Sequence, residues 1–342
     1  MTQHILLTQL RRIGDVLMTT PALAALRQAY PEAWITYLTE PPSDQVFRNN
    51  PNVNEVIPFP ARGSVWAKYR ILRQLRARRF DLHVDFHGQP RSALMARFVG
   101  ARRRIGFNFK GRAWAYTDRV ERAPVPYSAA HKAHLLSPLG ITVADPLPQV
   151  FPGQAERAHA QRILEGLGVG ERDLLVALVP VSRQPYKVWP EAHWAHLADL
   201  LIECYDARVL LMHGPGERHF CDTVRGEMRH TALPEIPVPD LLEMAALLER
   251  AHLFLGNDGG PRHFAIAMGT PTLAPFGKVR AQGWSPPGHP LHRVVEHDPG
   301  CRRECTWPRC THLACIKDLS FEAMRHETEA LLEVILKDGR PL

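Results

Sequence analysis

The segment GNDGGPRHFAIAMGTPTLAPFG, Gly256 to Gly277, joins two short apolar runs through a glycine loop that opens directly into a helix. Leu253 to Leu255 predicts a buried strand, Gly256 to Gly260 the turn, Pro261 a first helical residue and Gly269 the helix stop, with a second strand at Thr272 to Phe276. A strand, tight loop and helix in this order belongs to an α/β domain. It leaves unsatisfied backbone N–H groups and the positive end of the helix dipole facing whatever lies beyond the strand, as suits a phosphorylated ligand. Asp258 stands in the loop and His263 about one turn into the helix, so polar side chains flank the backbone of Gly259 and Gly260. Taken alone, Asp258 reads equally well as a helix cap.

The rest of the chain repeats the alternation. Strands are expected at Ile5 to Leu10, Trp34 to Leu38, Val53 to Pro58, Leu82 to Phe86 and Arg104 to Phe107, with helices at about Asp15 to Tyr30, near Ser43, Val65 to Arg79 and Ala93 to Val99. A Pro-rich segment, Leu139 to Pro152, interrupts the pattern and reads as a linker. Strands then recur at Leu174 to Pro180 and Arg208 to His213. Helices recur at Ala155 to Leu167, Glu191 to Tyr205, Glu217 to Met228, Asp240 to Arg250 and Phe321 to Lys337. The expected architecture is two doubly wound α/β domains, 1–150 and 151–342, facing across a cleft lined by the carboxyl ends of both sheets.

With 342 residues the chain is long enough for two cores. No apolar run approaches the ~20 residues of a spanning helix, and no export signal opens the chain, so a cytoplasmic enzyme is expected. The net charge of +7 is unevenly placed: residues 1–150 carry +11 and residues 151–342 carry −4. Arg70, Arg73, Arg76, Arg78 and Arg79 follow one helix, and Arg102, Arg103, Arg104, Lys110 and Arg112 cluster in a second segment. Such a field suits an acidic partner: an anionic lipid surface, a phosphorylated glycan or nucleic acid. Stacking aromatics are sparse among these arginines, which speaks against nucleic acid. Cys301, Cys305, Cys310 and Cys315 are bunched in one loop but lack close C-x-x-C pairs, so they are weak metal candidates and no bound metal is expected.

Four loops after strands carry chemistry. In LRRIGDVLMTTPAL, Gly14 permits a tight turn and Asp15 begins a helix, where its carboxylate can act as a general base or as a simple cap. PVSRQPYKVWP offers Ser182 and Lys187, the lysine suited to a diphosphate. HGPGERHF places Glu217 behind two glycines, able to accept hydrogen bonds from a ribose or base. The fourth is the opening motif, where Asp258 would repel phosphate and suits sugar hydroxyls instead.

Together LRRIGDVLMTTPALAALRQAYP, HVDFHGQPRSALMARFVGARRRIGF, PVSRQPYKVWP, HGPGERHF and GNDGGPRHFAIAMGTPTLAPFG resemble glycosyltransferase family 9, the lipopolysaccharide heptosyltransferases, through nearly the whole chain and in order. The resemblance implies a GT-B fold with the acceptor on the first domain and the nucleotide-sugar on the second. By position it implies Asp15 as base, Lys187 on the phosphates, Glu217 on the nucleoside and Asp258 on the donor sugar. Ser182, Gly259, Gly260 and His263 complete the donor set. It also implies ADP-L-glycero-D-manno-heptose as donor, a lipid-anchored Kdo or heptose acceptor at the inner membrane's cytoplasmic face, and no required cofactor. The basic half then supplies acceptor contacts from Arg11, Arg12, Gly14, Arg62, Arg104, Lys110 and Arg112. LRRIGD and SRQPYKVW look most like type III enzymes and less so type II, and Gly259 stands where Ser or Thr is frequent in the family. Another nucleotide-sugar, a protein acceptor, or a non-catalytic sugar-nucleotide-binding role stay open as alternatives.

Overall fold

The computed structural model describes residues 3–122, 125–301 and 304–337. It divides into two compact units, Met1–Phe151 and Pro152–Leu342.

The first unit runs β1 (His4–Thr8), α1 (Ile13–Leu17), α2 (Thr20–Ala29), β2 (Trp34–Thr39), β3 (Glu55–Pro58), α3 (Val65–Ala77), β4 (Leu82–Asp85), α4 (Pro90–Val99), β5 (Arg103–Phe107), β6 (Asp118–Val120) and α5 (Ser128–Ala133). All six strands are parallel in the order β3-β2-β1-β4-β5-β6. Chain order reverses around β1, which places the switch point between β1 and β4, where doubly wound sheets bind ligands at their carboxyl ends. Ile5, Leu6 and Leu7 on β1 are fully buried, as expected for a strand covered on both faces.

The second unit runs α6 (Gln154–Gly166), β7 (Leu175–Val179), α7 (Glu191–Tyr205), β8 (Arg208–Leu211), α8 (Arg218–Glu227), α9 (Leu241–Arg250), β9 (Leu253–Gly256), α10 (Gly260–Ala267), β10 (Thr272–Phe276), β11 (His292–Glu296), α11 (Ala314–Lys317) and α12 (Phe321–Lys337). Its five parallel strands follow the order β11-β10-β9-β7-β8. The reversal here lies between β7 and β9. The loops after those strands hold Lys187 and Asp258.

Several elements differ from expectation. The single helix over Asp15 to Tyr30 is two, because Pro21 at the start of α2 lacks an N–H. The Thr19 and Thr20 hydroxyls donate to the Val16 and Leu17 carbonyls at 2.7 Å each and take over at the break. The helix near Ser43 is a 3₁₀ segment, Ser43–Phe47. Two edge strands, β6 and β11, went unforeseen. β6 spans only three residues, too few to show a period.

Candidate active site

In the second unit, Lys187 closes a 3₁₀ turn, Pro185–Lys187, after β7. Its Nζ donates to Asp258 Oδ2 at 2.5 Å, with Asp258 buried and Lys187 mostly so. One residue brings these loops together. Asn257 Nδ2 donates to the Pro180 carbonyl at 2.8 Å, and its Oδ1 accepts from the Trp189 N–H at 3.1 Å. Trp189 is fully buried, and its indole N–H donates to the Leu319 carbonyl at 2.8 Å. The loop bearing Lys187 is thus anchored at both ends. Gly277 completes the fit, since a Cβ there would stand 2.8 Å from the Tyr186 carbonyl.

Asp258 does not cap α10: Gly259 is the N-cap residue, in extended backbone, and the helix begins at Gly260 with Pro261 in its first turn. The α10 first-turn N–H groups therefore donate to no capping side chain at Gly259, and a Cβ on Gly260 would meet nothing within 4 Å. His263 is buried, and its Nδ1 has no hydrogen-bond partner among the described residues. Burial pulls its pKa down to about 3; Asp258 opposes that shift, while Arg262 and Lys187 add to it. The imidazole beside the pair is neutral at ordinary pH.

Ser182 and Glu217 line a separate cavity of about 850 Å³, together with Arg183, Val188, Phe220 and Lys317. Glu217 is the residue before α8, with one oxygen accepting from Arg183 Nε at 2.8 Å and the other from the Gly214 N–H at 3.2 Å. The sequence reading did not single out Arg183. Lys187, Asp258 and His263 form one cluster, and Ser182 and Glu217 a second, in the same unit.

In the first unit, Asp15 sits in the first turn of α1, half-buried, and its Oδ2 accepts from the Arg12 N–H at 3.3 Å. Behind it lies a buried network that sequence reasoning missed. Lys132 on α5 is buried and donates to Gln9 Oε1 at 2.8 Å. Gln9 Nε2 in turn reaches the Arg11 carbonyl at 2.6 Å and His87 Nδ1 at 3.1 Å. Burial pushes the Lys132 pKa down, and the negative charges of Asp15 and Asp85 push it back. Asp85, at the end of β4, accepts from the Tyr116 hydroxyl at 2.7 Å and from the N–H groups of His87 and Gly88 at 3.0 and 3.2 Å. Burial nonetheless raises its pKa. His87 is held down to about 4, by burial first and then by Lys132, Arg91 and Arg11. The only outward signal of this network was a charged strand end, HVDFHG, preceding a Pro-started helix.

The proposed acceptor residues divide. Arg11, Arg12 and Gly14 follow β1, Arg62 follows β3, and Lys110 and Arg112 follow β5, so all lie toward the carboxyl edge of the sheet. Arg11, Arg12, Arg62 and Lys110 are exposed, whereas Arg112 is half-buried with its guanidinium 4.3 Å from the Phe109 ring centroid. Arg104 lies apart from the others. It stands near the start of β5, toward the amino edge, and its guanidinium donates to the carbonyls of Ala115 and Ala101 at 2.9 and 2.7 Å. Through these two backbone acceptors it ties neighbouring segments together.

Among the described residues, no group of His, Cys, Asp or Glu is placed to hold a metal ion. Cys301, Cys305, Cys310 and Cys315 form no disulfides there.

Residues 68–308 match the family model of glycosyltransferase family 9 (heptosyltransferase). The chain belongs to this family. It is 26% identical over 286 residues to lipopolysaccharide heptosyltransferase 3 of Escherichia coli, covering 80% of this chain and 83% of that one. The K12 strain's protein of that name is 28% identical over 299 residues, covering 81% and 83%. Among solved structures, the family 9 glycosyltransferase of Veillonella parvula superposes with a TM-score of 0.81 at 24% identity, covering 98% of this chain and 97% of that one. E. coli ADP-heptose lps heptosyltransferase II gives 0.77 at 20%, covering 97% and 99%. E. coli heptosyltransferase WaaC with ADP-2-deoxy-2-fluoro heptose gives 0.71 at 21%, covering 96% and 99%. The fold is GT-B, with two Rossmann-like domains, and the family makes the protein a glycosyltransferase.

Proposed function

We propose that this glycosyltransferase moves L-glycero-D-manno-heptose from ADP-heptose to a Kdo or heptose of a lipid-linked lipopolysaccharide core, inverting the anomeric centre. The observation that carries the reading is the Lys187–Asp258 pair at the switch point of the second unit, beside the α10 N-terminus. A diphosphate seated against α10 recruits Lys187 and leaves Asp258 to accept hydrogen bonds from sugar hydroxyls. The cavity lined by Ser182 and Glu217 takes the nucleoside. Kinship with proteins named lipopolysaccharide heptosyltransferase 3 supports the heptose and the core acceptor.

Asp15 takes the proton of the acceptor hydroxyl. The acceptor oxygen forms its bond to the anomeric carbon as the bond from that carbon to the β-phosphate oxygen breaks, and ADP departs with the electron pair. Lys187 and the α10 N–H groups, with Gly259 and Gly260 giving close backbone approach, stabilise the departing charge, so the reading asks for no metal cofactor. Arg11, Arg12, Arg62, Lys110 and Arg112 meet the acceptor's phosphates and carboxylates. Among the described residues, no helix is long and apolar enough to cross a membrane; the reading places the enzyme on the cytoplasmic face of the inner membrane.

Titration with ADP-, UDP- and GDP-sugars, followed by turnover on core-oligosaccharide fragments, tests this directly. ADP-heptose is expected to bind and turn over. Asp15→Asn should lower kcat by about 10²- to 10⁴-fold with donor affinity retained. A uridine donor preference overturns the heptose assignment, and full turnover by Asp15→Asn overturns the base.

A further inference from the structure

The first two turns of α3 present Val65 and Trp66 to solvent at 80% and 78% exposure, with Tyr69 beside them at 44%. Burying apolar side chains is favourable, so this much exposure on adjacent turns marks a surface that something covers. On α4, about one turn before Phe98, Leu94 is 58% exposed. The two helices are joined there: the Tyr69 ring lies 6.0 Å from that of Phe98, and the Arg76 guanidinium donates to the Phe98 carbonyl at 2.5 Å.

Around these apolar groups the charge is of one sign. Residues 64–79 hold six Lys or Arg and no Asp or Glu. Arg78 is engaged by Glu55, but Arg70 and Arg73 are exposed. A tryptophan and tyrosine among aliphatic side chains, ringed by arginines, match the interface of an anionic bilayer: the rings sit at headgroup level and the cations meet phosphates. Val65 and Leu94 have no π-face on which a base could stack, which favours lipid over single-stranded nucleic acid. α3 also starts from the carboxyl edge of the sheet, the edge that carries Asp15.

We infer that the α3–α4 surface centred on Trp66 docks the enzyme on an anionic lipid bilayer and so presents the acceptor-binding edge to the membrane. The inference rests on the lipid-linked acceptor proposed above, but the binding it describes needs no sugar chemistry.

The test is co-sedimentation of the full chain with vesicles of phosphatidylcholine alone or mixed with phosphatidylglycerol. The wild type should bind the mixed vesicles, release in high salt, and bind the neutral ones weakly. Trp66→Ala should weaken binding, and the Arg70→Glu, Arg73→Glu double variant should weaken it at least tenfold, since each arginine near an anionic leaflet contributes about fivefold. Both changes are on exposed positions, and circular dichroism checks that the fold is retained. On a soluble acceptor fragment, wild type and variants should turn over alike, whereas on acceptor embedded in vesicles the variants should slow. Equal binding to both vesicle types overturns the proposal, as does unchanged binding by Trp66→Ala. Tighter binding to single-stranded RNA than to vesicles, or a dimer lost in Trp66→Ala, reassigns the surface and also overturns it. Failure of turnover on the soluble fragment with vesicle binding intact strikes the heptosyl-transfer reading instead.

Discussion

Lys187 and Asp258, 71 positions apart in the chain, meet in a 2.5 Å ion pair at the point where the second sheet reverses its strand order. Lys187 thus has a buried carboxylate as its partner. Under the proposed function, a diphosphate shares or displaces that partner, which ties phosphate binding to the release of a carboxylate for the sugar.

Substitutions at the two positions should separate. Lys187→Ala removes the phosphate contact and leaves Asp258 buried without its cation, a loss of up to ~3 kcal/mol in stability. Asp258→Asn leaves the lysine to phosphate, so ADP affinity should hold or rise while transfer falls. The Lys187→Ala, Asp258→Asn double variant should regain stability but not ADP affinity. Calorimetric ADP titration with urea melts on all three gives the comparison; recovery of ADP affinity in the double variant contradicts a phosphate role for Lys187.

Lys132 is buried, and it holds Gln9, which holds the Arg11 carbonyl in the turn leading to Asp15. Lys132→Met should lower kcat by about tenfold or more with donor affinity unchanged, because a small misplacement of a catalytic group is enough. A purely structural lysine would instead lower Tm and leave kcat of the folded fraction alone. Steady-state kinetics beside thermal melts tell the two apart.

Acid should destabilise the protein through two buried and two half-buried histidines. His83 and His263 are held to about 3, and His87 and His131 to about 4, chiefly by burial, against an ordinary value near 6.5. The unfolded chain takes up these protons first. Their contribution is complete above about pH 6.5 and drains away as the pH falls toward the folded values, by up to about 1.4 kcal/mol per pH unit for each of the buried His83 and His263 rings and by less for the half-buried His87 and His131, which solvent screens. Asp85, raised by burial, acts in the opposite sense. Carbon-13 histidine spectra should show these rings still neutral at about pH 5; rings that titrate near 6.5 would refute the burial account.

Two glycines around the donor site should fail differently. Gly277→Ala sets a methyl against the Tyr186 carbonyl, next to Lys187, and should cost about 1–3 kcal/mol with a parallel loss of ADP affinity. Gly260→Ala meets no protein atom, so stability should hold while ADP affinity drops because the methyl fills the space a phosphate needs. Unchanged ADP affinity in Gly260→Ala would place the diphosphate elsewhere.

The α/β alternation was legible because strands buried on both faces read as apolar runs, as in Leu175–Val179. The glycine loop at Gly256 to Gly260 likewise announced the junction of β9 with α10. Gln9, Lys132 and Asp85 were not legible: each is a polar residue whose partner lies far away in the chain, and only the folded sheet makes their burial visible. The placement of Arg104 was not legible either, because an arginine cluster in the sequence does not say which end of a strand each member occupies. Position 103 opens β5, so its neighbour turns back to backbone carbonyls while Lys110 and Arg112 pass to the far edge.

Asn257 bonds the Pro180 carbonyl at one end of the lysine loop and the Trp189 N–H at the other. A single amide thus fixes the loop's length. An insertion or deletion between these anchors cannot be absorbed as in an ordinary surface connection, because any change of span is delivered to Lys187 and Asp258. Diversification of the proposed donor site is thereby confined to side-chain replacement at fixed length, while the segments outside the two anchors remain open to change in size.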